Sequence, residues 1–250
     1  MKRKIIIVSI LSVLAIILLT FGNSVINLIH NYSLDYEEYV YLGGDNIVID
    51  YKTTSDLNAA AANNEYATIG TLTFVSKDGN YGAVAHKISD TKIESGNIYI
   101  VPVDSVIKSN REKIGEKNVI IGYNKANGNI TNINEAGIFG KYNLKLNNKS
   151  LMPIGMPREI ECSKAYVYTV VSKNKIEAYE IEIIKLNYSK KSHNIYFKIT
   201  DEKLLNKTGG VIKGMSGSPI VQDGKIIGAI SHVEDADPTY GYALFITYMI

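Results

Sequence analysis

The chain has 250 residues, 46% hydrophobic and 21% charged, a composition that excludes extended disorder and leaves room for one large domain or two small ones. Its 27 Lys and Arg stand against 25 Asp and Glu for a formal net charge of +2, and no basic stripe interleaved with aromatics runs through the folding part, so nucleic acid is not expected as a partner. A single cysteine, Cys162, excludes an internal disulfide, and the four histidines fall at none of the usual metal-ligand spacings, so no metal or other cofactor is expected. Cys162 itself reads as a small buried apolar residue.

Behind a basic tip, residues 1–4, residues 5–21 carry no charge and only Ser9, Ser12 and Thr20 as polar members. As a helix rising about 1.5 Å per residue this run spans about 26 Å, close enough to a hydrocarbon core of about 30 Å for local thinning to absorb the difference. The following "LTFGNSV" offers no A-x-A-like cleavage site, so the run reads as an uncleaved transmembrane signal anchor. Lys2, Arg3 and Lys4 ahead of it keep the N-terminus cytoplasmic and send everything after Phe21 across the membrane. Residues 22–64 then read as an extracytoplasmic stem, polar and tyrosine-bearing, with one strand candidate at 46–51 and an alanine run from Ala59 to Ala62.

From residue 65 the texture changes to short β-type runs broken by turn dipeptides. "ATIGTLTFVS", "KDGN" and "YGAVAHKI" read as two strands across an Asp-Gly hairpin. Further strands are expected at 97–103, 118–123, 165–171, 176–185, 194–200, 218–222, 225–231 and 241–247. Only 104–112 and 202–208 have helical character. Many strands, glycine-bearing turns and almost no helix point to an all-β barrel or a pair of barrels over residues 65–250.

On such a scaffold "GMSGSP", residues 214–219, gains a chemical meaning. A serine hydroxyl attacks a carbonyl only when a base takes its proton and hydrogen-bond donors hold the oxyanion. Gly214 permits a tight turn that aims the backbone N–H groups of Gly214 and Ser216 at one spot, the same offset as in the chymotrypsin-type oxyanion hole. A glycine-rich serine turn also occurs in ordinary β-hairpins, so the base decides the matter. His30 lies in the stem and His193 in the charged turn "SKKSHN", both reading as solvated; His232 ends the strand after the serine, with neighbours that read as packing. His86 closes the apolar run "GAVAHKI" and is the candidate base. For the carboxylate that would orient it, Asp90, Asp104 and Asp201 are all open by spacing, with Asp201 best placed at the end of "NIYFKIT" ahead of the serine loop.

The segments "GTLTFVSKDGNYGAVAHKISD", "NEAGIFGKYN" and "KITDEKLLNKTGGVIKGMSGSPIVQDGKIIGAISHVEDADPTYGYALFI" together resemble the peptidase domain of the stage IV sporulation protein B family, over most of residues 65–250. The resemblance implies a chymotrypsin-like double β-barrel and a serine endopeptidase, and it places the catalytic triad on His86, Asp201 and Ser216. It further implies self-cleavage and secretion across the forespore membrane. The expected substrate is the extracytoplasmic part of a membrane regulator, whose cleavage leads to intramembrane proteolysis and sigma-factor activation. Two features depart from the family: the stem is too short for the PDZ domain that members usually carry, and Ala85-His86-Lys87 replaces a glycine-flanked histidine. A lysine at 87 is expected either to lower the pKa of the base or to point to water. The competing expectation is a non-catalytic relative that captures a peptide at an exposed strand edge.

Overall fold

The structure is a computed structural model that describes residues 38–53, 66–88, 93–120, 122, 125–146 and 149–250. The expected anchor at 5–21, His30 and Asp90 lie outside the described residues. Among the described residues no helix is long and apolar enough to cross a membrane.

Residues 39–250 form one compact unit of sixteen strands among the described residues. The first ten are β1 (Tyr39–Leu42), β2 (Asn46–Thr53), β3 (Tyr66–Ser76), β4 (Asn80–Ala83), β5 (Ile93–Ile100), β6 (Val103–Ile107), β7 (Glu116–Val119), β8 (Gly128–Asn134), β9 (Gly137–Tyr142) and β10 (Leu151–Pro153). The remainder are β11 (Lys164–Val170), β12 (Ile176–Leu186), β13 (Ile195–Ile199), β14 (Pro219–Gln222), β15 (Lys225–Val233) and β16 (Tyr240–Phe245), with α1 (Glu202–Thr208) between β13 and β14. In the first sheet the order β3-β2-β5-β8-β9-β4 closes on itself because β4 also pairs with β3, and β1 and β10 add to it through β3. The second sheet is a closed barrel, β11-β12-β13-β16-β15-β14. The two rings of six antiparallel strands make the pair of barrels that the strand pattern predicts, in the chymotrypsin-like double-barrel form that the resemblance implies. Closure leaves neither ring with a long free edge.

Each barrel is filled by the inward half of its alternating strands. Ile47, Ile49, Leu72, Val75, Tyr81, Ile98 and Ile138 fill the first, while Val167, Ile181, Ile183, Phe197, Ile199, Ile220 and Ile230 fill the second. A third apolar cluster joins residues of both, with Phe74 and Ala85 from the first barrel against Val221, Ala229 and Leu244 from the second. The two barrels therefore share a buried apolar seam.

Three expectations change here. The strand expected at 46–51 exists, but as β2 it sits between β3 and β5 in the first barrel, so part of the segment read as stem belongs to the barrel. Residues 104–112 are not helical: β6 pairs with β7 in a two-stranded ribbon, and Asn110 Oδ1 accepts from the amides of Glu112 and Lys113, an Asx turn that competes with helix. Cys162 is exposed rather than buried, because it lies in the bend between a 3-10 turn and β11. The expected hairpin at Asp78-Gly79 forms, with Gly79 at φ +78 closing onto Ser76, and α1 spans 202–208 as its sequence predicts.

Candidate active site

The serine turn sits where the two barrels touch. Gly214 and Gly217 adopt φ +92 and +90, values open to glycine and costly for other residues. Thr71 on β3 holds the turn from the first barrel: its amide donates to Ser216 O at 2.8 Å and its hydroxyl to Gly214 O at 2.8 Å. Thr73 Oγ1 donates to Gly217 O at 2.8 Å, and Gly217 N donates across to Ile230 O at 2.7 Å. The nucleophile candidate is thus clamped by both barrels.

Donors within the turn divide in a pattern that bears on catalysis. The amides of Met215, Gly217 and Ser218 donate to Ile212 O, Ile230 O and Met215 O at 3.1, 2.7 and 2.9 Å. Those of Gly214 and Ser216 donate to no group among the described residues. Buried backbone N–H groups are nearly always paired. Two unspent amides, the serine's own and that of the residue two before it, are therefore what an oxyanion site requires before its substrate arrives. A Cβ on Gly214 would stand 3.0 Å from Ile69 Cγ2 and 3.1 Å from Lys117 Cδ, so the position takes glycine for space as well as for φ.

His86 follows a bend, not a continuation of its strand. β4 ends at Ala83, and Val84 and Ala85 take φ +75 and +57. A β-branched residue in that region is strained by on the order of 1–3 kcal/mol, and such strain concentrates at functional sites. Val84 is held there by Thr71 O, to which its amide donates at 3.2 Å, and by Gly217, whose missing side chain leaves room for the Val84 backbone. The imidazole then lies with its ring centroid 5.3 Å from that of His232, which follows Ser231, the residue whose carbonyl accepts from Ser216 Oγ at 3.3 Å.

His86 Nδ1 is 2.7 Å from the carbonyl oxygen of Lys87. A carbonyl only accepts, so the proton sits on Nδ1 and Nε2 keeps the basic lone pair, the tautomer a general base needs. Burial lowers the His86 pKa from 6.5, with the Lys87 carbonyl pulling the other way, which keeps the ring neutral at pH 7. Lys87 therefore acts through its backbone. Its exposed ammonium pairs with Glu135 at 3.4 Å, in the β8–β9 turn, so of the two expected roles it points to water and is not among the causes that lower the His86 pKa.

The expected site residues are brought together unequally. Ser216 Oγ donates to Ser231 O at 3.3 Å, and the His86 ring stands beside that of His232, the next residue; among the described residues no hydrogen bond joins Ser216 to His86. Asp201 is the N-cap of α1: Oδ1 accepts from Leu204 N at 2.9 Å and Oδ2 from Glu180 N at 3.3 Å. Among the described residues no hydrogen bond joins it to His86. Asp104 is exposed on β6. His232 and His193, read as packing and as solvated, stack on each other at 4.5 Å beside His86, with Tyr242 edge-on to His193. Loss of solvent first, and then His193 and His86, push His232 down to about 4, leaving it neutral beside His86. No cluster that could hold a metal ion occurs among the described residues.

The position of Asp201 gives a direct expectation. Asn caps a helix about as well as Asp, whereas Ala costs about 1 kcal/mol. Asp201→Asn should keep activity within about tenfold of wild type, and Asp201→Ala should lower stability, both read by peptide turnover and thermal melting. A loss on the order of 10⁴-fold in the Asn variant would return Asp201 to the imidazole as the third member of a triad.

Among curated proteins none matches the chain. The Rv3671c protease of M. tuberculosis in its inactive form is similar over 81% of this chain and 84% of that one, at 12% identity and a TM-score of 0.43. The active form of that protease gives 12% identity and the same TM-score over 82% of this chain and 77% of that chain. The family model described as SpoIVB peptidase S55 matches residues 61–250, all of the chain from just before β3 onward. This chain belongs to the SpoIVB peptidase S55 family.

Proposed function

We propose that the chain is a membrane-anchored serine endopeptidase in which Ser216 attacks a peptide carbonyl, His86 Nε2 takes its proton, and the Gly214 and Ser216 amides receive the oxyanion. The observation that carries this reading is the pair of unspent amides on either side of Met215, set beside a neutral histidine of fixed tautomer. After attack, the proton held on His86 passes to the leaving amine, and water then repeats the cycle on the acyl-enzyme. Asp201 keeps α1, and with it the approach to the serine turn, in place.

The charge-free run at 5–21 behind Lys2, Arg3 and Lys4 supports an anchor that leaves residues 39–250 outside the cytoplasm. Family membership supports a protein substrate. The finer reading is cleavage of the extracytoplasmic part of a membrane-bound sporulation regulator, and of the chain itself, from the forespore membrane facing the intermembrane space.

The full chain in sealed vesicles tests this reading. A membrane-tethered substrate exposed on the outer face should be cut, a serine-directed sulfonyl fluoride should stop the cutting, and a chelator should not. Cleavage only of substrates on the cytoplasmic face, or cleavage lost to the chelator alone, would overturn it. A folded chain that binds the substrate without cutting it would favour the peptide-capturing relative.

A further inference from the structure

Behind the serine turn lies a lysine that the chemistry above does not use. Lys117, on β7, is 1% exposed. Its strand is fixed to the segment leading into the turn, with Lys117 N donating to Lys213 O at 3.1 Å and Lys213 N to Gly115 O at 2.9 Å. The Lys117 stem fills the space that a side chain on Gly214 would need. Its amine donates to Thr169 Oγ1 at 3.1 Å, and Thr169, Ser218 and Thr71 are all fully buried.

These hydroxyls form a continuous line. Thr169 and Ser218 oxygens are 3.0 Å apart, Ser218 and Thr71 oxygens 3.3 Å, and Thr71 donates to Gly214 O at 2.8 Å. One polarity satisfies every contact. The Gly214 carbonyl accepts only, so Thr71 spends its proton there. Ser218 must then donate to Thr71, Thr169 to Ser218, and the amine to Thr169. A hydroxyl chain polarised from one end strengthens each of its links.

We propose that Lys117 is a positioning residue for the oxyanion-binding turn, its amine heading the chain Thr169, Ser218, Thr71 that ends on the Gly214 carbonyl and keeps the Gly214 and Ser216 amides facing the substrate. The proposal rests on the peptidase reading above. Burying an amine with one hydroxyl partner is unfavourable for stability, and an apolar residue of the same length would be neutral or better. A sequence that nevertheless places lysine there gains something other than stability. Burial draws its ammonium down to about 7, so its charge is lost as pH rises through neutrality. Its amine meets the Thr169 hydroxyl, and no carboxylate, that of neighbouring Glu116 included, forms an ion pair with it among the described residues; Lys213, across the bridge from Glu116, carries a like charge.

The test uses the full chain in detergent, with Lys117→Met, Thr169→Val and Thr169→Ser compared with wild type for peptide turnover, melting temperature and fluorophosphonate labelling of Ser216. Lys117→Met and Thr169→Val should each lose roughly 10- to 100-fold in kcat with KM within about threefold, part of the effect of removing an oxyanion donor outright. Lys117→Met should melt no lower than wild type, and Thr169→Ser, which restores the hydroxyl, should recover kcat to within about threefold. The wild type should lose turnover above about pH 7 as Lys117 gives up its proton, and Lys117→Met should lack that decline. Wild-type turnover in Lys117→Met and Thr169→Val, or a loss in kcat that follows a fall in melting temperature and is not rescued by serine, would overturn the proposal alone. A folded wild type that does not label would overturn the peptidase reading and this proposal with it.

Discussion

Ser216→Ala and His86→Ala are each expected to remove on the order of 10⁴- to 10⁶-fold of peptide turnover, and the double variant to lose no more than either alone. Residues that act in one step lose their effect together, because a base without a nucleophile, or a nucleophile without a base, does almost nothing. The structure adds a reason to expect the full loss at His86. Nδ1 is committed to Lys87 O, so Nε2 alone is left to take the serine proton. His232 and His193 do not substitute for it, since their rings are engaged with each other at 4.5 Å and His232 is too weakly basic, at about 4, to hold a proton at neutral pH. Steady-state kinetics on the three variants would check this; losses that add would assign His86 to a different step.

Gly217→Ala carries the largest expected effect on folding. A Cβ there would stand 2.2 Å from Thr71 O and 2.3 Å from Val84 N, both backbone atoms of the first barrel, and the residue sits at φ +90. Neither contact relaxes by rotating a side chain, so the two barrels must part at their shared clamp. A cost of about 3 kcal/mol or more is expected, a fall of roughly 6–12 °C in melting temperature for a domain of this size. Gly224→Ala provides the control. That glycine has a similar φ of +77 with nothing within 4 Å, so only the backbone penalty of about 1 kcal/mol remains. Equal melting temperatures for the two variants would contradict the clamp.

Most of the second barrel is legible in the chain because its strands alternate inward and outward residues between clear turn signals. Asp223-Gly224 between β14 and β15 is such a signal, with φ +49 and +77 as a tight hairpin requires. The first barrel is harder to read. β2 looks like part of a stem because its partners β3 and β5 are set by long-range pairing, and β8 and β9 carry asparagines and glycines that mask the strand period. Ser216 and Gly214 are readable from local chemistry, since the turn itself demands the glycine.

His86 is readable as a residue but not as a geometry. "GAVAHKI" reads as continuous strand, and nothing in Val84-Ala85 signals two successive positive φ values; Thr71 and Gly217, distant in sequence, impose them. Asp201 carries a local signal of its own. A carboxylate at a strand end ahead of the serine suits an orienting role, yet the same residue followed by "EKLL" is also a strong helix start, and the cap is what the structure uses. Lys117 is invisible in the sequence, because only the register of β7 against residues 213–214 turns an ordinary alternating lysine inward.

A fluorophosphonate probe addresses the central claim most directly, since it reports a serine that is both activated and served by an oxyanion site. Incubated with the folded full-length chain, the probe should phosphonylate Ser216 alone, fluoride leaving as His86 takes the hydroxyl proton. The labelling rate should fall on acidification only below pH 6.5, because the imidazole is held below its ordinary pKa. His86→Ala should label at least 10³-fold more slowly. A folded chain that leaves Ser216 unlabelled, or one in which His86→Ala labels as fast as wild type, would contradict the account.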